Sequence, residues 1–222
     1  LAAIKAGYGI ECDLQLSADG IPMVFHDDTL DRLTAQTGPL SALTAAELGR
    51  IALNDSAETI PTLAEILTLV GGRSPLLIEI KDQHGAMGLT DERLEQATAS
   101  ALAGYKGPVA LMSFNPHSVA AMARLAPDLP RGLTTCAYDL QTWFPLPTDL
   151  CDHLRAIADY DRINASFVSH EWADLARPRI ADLRAQGAAI LCWTIRSAAA
   201  EATARQLADN ITFEGYAAPI PS

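Results

Sequence analysis

Apolar positions along this chain follow two alternating rhythms. Short stretches are apolar throughout or alternate apolar with polar side chains, which is the signature of strands. Between them, apolar residues recur every three or four positions, as on one face of a helix. The first strand is expected at 9–17, closed by a hairpin-type turn at Ala18-Asp19-Gly20, and a second runs from Pro22 to His26. Further strands are predicted at 76–81, 109–114, 131–135, 163–168, 189–195 and 210–214. Helices are predicted at 60–70, 91–103, 116–126, 148–159, 174–186 and 197–207. Two starts carry a capping box, Thr44 with Glu47 and Thr62 with Glu65. Leu1 to Gly7 reads as the tail of a helix closed by a glycine.

Strands alternating with helices of this length predict βα units around a parallel sheet. If the first strand and its hairpin partner fill one place, seven parallel positions result, whereas a (β/α)8 TIM barrel has eight. The chain is therefore expected to be an α/β barrel lacking its first strand. About 20–40 residues, a strand and most of a helix, would lie upstream of Leu1. An open doubly wound sheet is the competing architecture, needing no eighth strand. Residues 1–222 are expected to form one barrel domain, with a small polar excursion at about 28–60 after the second strand.

Composition narrows the function. The 222 residues are 49% hydrophobic, enough for a core and against disorder. A net charge of −11 argues against nucleic acid and anionic membrane surfaces as partners. No apolar run is long enough to form an integral membrane segment. Cys12, Cys136, Cys151 and Cys192 are widely spaced and read as reduced core residues. They favour a cytoplasmic location, while a periplasmic or secreted one stays open should a signal peptide precede Leu1.

Charged residues on predicted strands supply the candidate chemistry. Glu11 and Asp13 are spaced i, i+2, so they share one face of their strand while Cys12 takes the other. Glu79 and Lys81 repeat the device on the third strand, and the second ends in His26-Asp27. Crowded carboxylates call for a cation, a shared proton or a basic neighbour. Three acids, a histidine and a lysine, all on strands or strand ends, make the candidate active site.

Taken in order, several motifs resemble the glycerophosphodiester phosphodiesterases. They are Gly9-x-Glu11-x-Asp13, Asp19-Gly20-x-Pro22-x-Val24-x-His26-Asp27, Leu30-x-Arg32-x-Thr34 with Gly38, Ile60-Pro61-Thr62-Leu63, Ile78-Glu79-Ile80-Lys81, Ser113-Phe114 and Trp193-Thr194. The resemblance implies a (β/α)8 barrel with an insertion after the second strand. It also implies one divalent cation, Mg2+ or Ca2+, and hydrolysis of a small glycerophosphodiester to glycerol 3-phosphate and an alcohol. Glu11, Asp13 and Glu79 would be metal ligands and His26 an acid/base residue. Lys81 would meet the phosphate, Trp193 would line the glycerol end, and Phe114 would sit at the pocket rim.

The chain departs from the family pattern in three places. It has no His-Arg-Gly motif, which in the family lies on the first strand. Arg196 stands where the family has Asn, and Phe213-Glu214 where it has Thr-Asp. Two further readings accompany the hydrolase. One is a phosphodiesterase-type lyase making cyclic phosphates, and the other is a barrel that binds phosphodiesters without cleaving them. Asp31 and Arg32 are expected to form a local ion pair.

Overall fold

Alternation of side chains along each strand sorts the sheet into a helix-facing side and an inner side. In the computed structural model, which describes residues 1–220, the first strand β1 spans Ile10–Leu16 and the antiparallel β2 spans Pro22–Val24. The remaining strands are β3 (Leu76–Ile80), β4 (Val109–Ser113), β5 (Arg131–Thr135), β6 (Phe167–Glu171), β7 (Ala189–Ile195) and β8 (Asn210–Phe213). Helices are α1 (Ala2–Ala6), α2 (Ala45–Leu48), α3 (Leu63–Val70), α4 (Arg93–Leu102), α5 (Pro116–Leu125), α6 (Thr148–Arg155), α7 (Pro178–Ala185) and α8 (Ala198–Ala204). Both capping boxes form, with Thr44 and Thr62 accepting from the backbone of Glu47 and Glu65 while each glutamate returns to its threonine.

The sheet runs in the order β2-β1-β3-β4-β5-β6-β7-β8, and every pair except β1–β2 is parallel. A doubly wound sheet reverses strand order at a switch point. Here the parallel strands follow one another without reversal, which is the winding of a (β/α) barrel. Among the described residues seven parallel strands are present, and β8 and β1 do not pair. Tyr8, just ahead of β1, packs its ring edge-on to Phe213 at 5.0 Å and donates to the carbonyl of Ala218 at 2.5 Å.

On the helix-facing side, Leu14, Leu16, Leu76, Ile78, Ile80 and Leu111 pack with Leu63, Leu67 and Leu94. Val168, Ile190, Cys192 and Ile195 do the same with Ile180 and Leu183 farther round the sheet. The excursion over 28–60 has its own small core, Leu30, Leu40, Leu48 and Ile60 packed on Met23 and Phe25. No helix among the described residues is long and apolar enough to cross a membrane.

Several boundaries differ from expectation: β2 ends at Val24 instead of His26, α6 at Arg155 instead of 159 and α8 at Ala204 instead of 207. The strand expected at 163–168 lies at Phe167–Glu171, because Ile157 and Asn164 take left-handed backbone and 157–165 is spent on turns. Apolar content pointed to the earlier segment, but the sheet instead takes in Ser169 and His170, both fully buried. His170 enters with partners, bonding Thr135 Oγ1 at 2.7 Å and Asp174 at 3.2 Å. Helix α7 likewise starts later than expected, after a 3-10 turn at Trp172–Asp174.

One close approach inside the sheet gives a stability prediction. Gly132 on β5 lies opposite Phe167 on β6, and a Cβ there would sit 2.4 Å from two Phe167 ring carbons and 2.5 Å from its carbonyl oxygen. The carbonyl belongs to the parallel ladder and cannot move alone. Gly132→Ala is therefore expected to destabilise the fold by about 1–3 kcal/mol. Urea denaturation measures this, and an unchanged midpoint would show that the two strands are not so closely apposed.

Candidate active site

Glu11 and Asp13 occupy alternate positions on β1, while Ile10, Cys12, Leu14 and Leu16 between and beyond them join the helix-facing core. The parallel register sets Asp13 beside Glu79 on β3. The three carboxylates each offer an oxygen within 4.8 Å of the others, and Glu79 is almost fully buried. Lys81, one residue past β3, brings its Nζ to 2.7 Å from Asp13 Oδ1 and 2.6 Å from Glu79 Oε1. Thr134 on β5 donates to Glu79 Oε2 at 3.4 Å.

This crowding shifts the acids. Burial, then the charges of Asp13 and Glu79, push the Glu11 carboxyl up to about 8, against a smaller opposing pull from Lys81. Burial and Asp13 also raise Glu79, with Lys81 opposing. Lys81 is held in its charged form, because Glu79 and Asp13 together outweigh the cost of burying it. The cluster carries three carboxylates against one ammonium, and a proton or a cation on Glu11 relieves the excess. An all-oxygen donor set with surplus negative charge fits a hard divalent cation. The one nearby thiol, Cys12, belongs to the other face and is pushed far up by burial, so it is no ligand.

His26 follows β2 and stands beside this cluster because the backbone N–H of Phe25 donates to the Asp13 carbonyl at 3.0 Å. Its Nδ1 lies 2.7 Å from Asp27 Oδ1. Asp27 also takes Arg32, with Nε at 2.7 Å and Nη2 at 2.5 Å from its two oxygens. The local Asp31–Arg32 pair expected from sequence does not form. Asp31 instead accepts from the backbone of Gly38 at 3.1 Å, which turns it away from the arginine.

Trp193 on β7 and Phe114, next after β4, meet edge-on at 5.5 Å. Trp143, from the irregular stretch after β5, packs on Phe114 at 5.3 Å and on the buried Tyr138 at 4.8 Å. Tyr138 donates to the Thr134 carbonyl at 3.3 Å, so one residue joins this aromatic group to the one that touches Glu79. Trp193 faces inward by simple alternation with the helix-facing Ile190 and Cys192, and its Nε1 donates to the Ser169 carbonyl at 3.1 Å.

Sequence reasoning missed two amides. Gln83 Nε2 donates to Gln15 Oε1 at 2.9 Å, and Gln15 Nε2 reaches the His26 carbonyl at 3.3 Å. Gln83 Oε1 accepts from Leu16 at 3.1 Å, tying β1, His26 and the segment after β3 together. Gln15 continues the parity of Glu11 and Asp13, a signal that was present in the alternation. The other departures also find places. Arg196, after β7, pairs with Glu214, after β8, at 2.6 Å, so two residues foreign to the family pattern hold each other. His153 pairs with Asp159 at 2.8 Å, and His170 is packed on the helix side of the sheet, its basicity lowered by burial.

A family model described as the glycerophosphoryl diester phosphodiesterase family matches residues 1–211. The glycerophosphodiester phosphodiesterase of Caldanaerobacter subterraneus is 33% identical over 132 residues, covering 56% of this chain and 54% of that protein. The Bacillus subtilis enzyme of the same name is 29% identical over 144 residues, 57% of this chain and 49% of its own length. The chain thus spans about half the length of these curated relatives. Among solved structures, an Oleispira antarctica phosphodiesterase in complex with the product sn-glycerol-3-phosphate superposes with a TM-score of 0.77 and 25% identity, covering 96% of this chain and 83% of that one. A glycerophosphodiester phosphodiesterase from Agrobacterium tumefaciens shares the fold at a TM-score of 0.69 and 23% identity, covering 96% and 86%.

Proposed function

The chain belongs to the glycerophosphoryl diester phosphodiesterase family, and on that footing we propose that it hydrolyses glycerophosphodiesters to glycerol 3-phosphate and an alcohol. The observation that carries the reading is the meeting of Glu11, Asp13 and Glu79, with oxygens within 4.8 Å, around the ammonium of Lys81. Support also comes from the Oleispira phosphodiesterase, whose product is glycerol 3-phosphate.

Glu11, Asp13 and Glu79 would hold one divalent cation, with Mg2+ and Ca2+ the ions their oxygens suit best. Bound there, the ion would neutralise the charge that builds on the phosphate's non-bridging oxygens. Lys81 has three N–H donors and uses two on Asp13 and Glu79, which leaves one for a phosphate oxygen. His26 is the proton-transfer residue, giving a proton to the leaving oxygen or taking one from the attacking water. Trp193, whose Nε1 is already committed to Ser169, offers its ring to the glycerol end, with Phe114 buttressing it.

The test is release of glycerol 3-phosphate from glycerophosphocholine by the full chain. Turnover should be stopped by a chelator, restored by Mg2+ or Ca2+, and lowered about 10²–10⁴-fold by His26→Ala. A cyclic phosphate product would convert the reading to a lyase. Tight cation-dependent binding of the diester with no cleavage would make the protein a binding barrel.

A further inference from the structure

Three side chains beside the acidic cluster form a relay that the reaction as described does not use. Asp27 receives Arg32 with both oxygens, and its Oδ1 also lies 2.7 Å from His26 Nδ1. Arg32 Nη2 comes within 3.5 Å of the same ring nitrogen. These neighbours make opposite demands. A carboxylate needs an N–H at Nδ1, whereas a guanidinium needs a lone pair there. Distance decides for Asp27, since 2.7 Å is a short charge-assisted bond and 3.5 Å lies beyond normal hydrogen-bond length. Independently, the guanidinium holds the Asp27 carboxyl below the usual carboxylate range, so the acceptor stays ionised.

Arg32 is fixed by more than this pair. It belongs to the excursion, two residues after the buried Leu30. Its carbonyl accepts from Asn54 Nδ2 at 3.1 Å, and Thr34 Oγ1 donates to the Leu30 carbonyl at 3.0 Å. The small core of the excursion therefore delivers the guanidinium to Asp27, and the two-pronged contact fixes the plane of the carboxylate. An isolated exposed ion pair would have neither support.

We propose that Arg32 is a positioning residue that acts through Asp27 to hold His26 as the Nδ1–H tautomer, leaving Nε2 to face the substrate, and that carrying Arg32 is a function of the 28–60 excursion. This rests on the reading of His26 as the proton-transfer group.

Long-range 1H–15N correlation spectra of the 15N-labelled full chain test it directly. At about pH 8.5, where an ordinary imidazole is neutral, the His26 ring is expected to be protonated on Nδ1. In Asp27→Asn that preference should be lost, as an amide N–H facing Nδ1 favours the other tautomer; in Arg32→Gln it should weaken, because the carboxylate loses the two bonds that fix its plane. With glycerophosphocholine, Arg32→Gln should lower kcat about 10²-fold and leave KM within about twofold, as misplacement of a reacting group does. Arg32→Lys should recover part of the loss. A wild-type ring protonated on Nε2, or a tautomer unchanged in Arg32→Gln, would overturn the proposal. A tautomer shift in a protein that cleaves no diester would uphold the positioning and defeat the hydrolase reading, so the two failures are distinguishable.

Discussion

Glu11→Gln is expected to stabilise the cation-free chain at high pH while abolishing its response to Mg2+ or Ca2+. The folded environment raises this carboxyl from 4.5 to about 8. A group whose folded value lies above its unfolded one contributes stability that is complete below the unfolded value and is lost as pH rises through the folded one. For Glu11 the window therefore runs from about 4.5 to about 8. Above it, a third negative charge sits against Asp13 and Glu79 in a site largely withdrawn from water. Glutamine keeps the shape and removes the charge. Its advantage over wild type should be small near pH 5 and grow to about 2–4 kcal/mol near pH 9. Denaturation midpoints across that range, with chelator present, measure it. Added cation should reverse the order, raising the wild type alone, and its binding below about pH 8 should release a proton from Glu11. A variant less stable than wild type at every pH would show that the carboxylates are not crowded together.

Lys81→Met is expected to have the largest combined effect. The ammonium lies 2.7 Å from Asp13 and 2.6 Å from Glu79, and both bonds are largely withdrawn from solvent. Breaking a buried pair from one side leaves uncompensated charge, at about 3–5 kcal/mol. The same change removes the donor proposed for the phosphate, so glycerophosphodiester turnover should fall by about 10²–10³. Lys81→Arg should not restore it, because a planar fork cannot replace a compact charge held among three carboxylates within 4.8 Å. Urea denaturation at neutral pH and glycerol 3-phosphate release separate the two effects. Wild-type stability with undiminished turnover would remove Lys81 from the centre of the site.

Both predictions concern residues that the sequence could pair only in part. Parity along a strand is a local rule, so Glu11 and Asp13 could be assigned a common face from their spacing. The capping boxes at Thr44 and Thr62 were legible for the same reason, since each closes within three residues. The alternation of strand and helix carried the fold class, and the ordered motifs carried the family.

Contacts spanning the sheet obey no such local rule. Asp13 meets Glu79 because the β1–β3 register places them side by side, 66 positions apart in the chain, and a slip of one residue would have turned Glu79 to the helices. Arg32 chose Asp27 over its neighbour Asp31 because the backbone of Gly38 had already claimed the latter. His170 was drawn into the core by Thr135 and Asp174, from a different strand and a later turn. The sequence by itself determined which side chains could share a face, because that depends on backbone periodicity. Only the tertiary structure decided which faces met, because register and loop packing set that, and burial then turned the meeting of three acids and one lysine into a charged site.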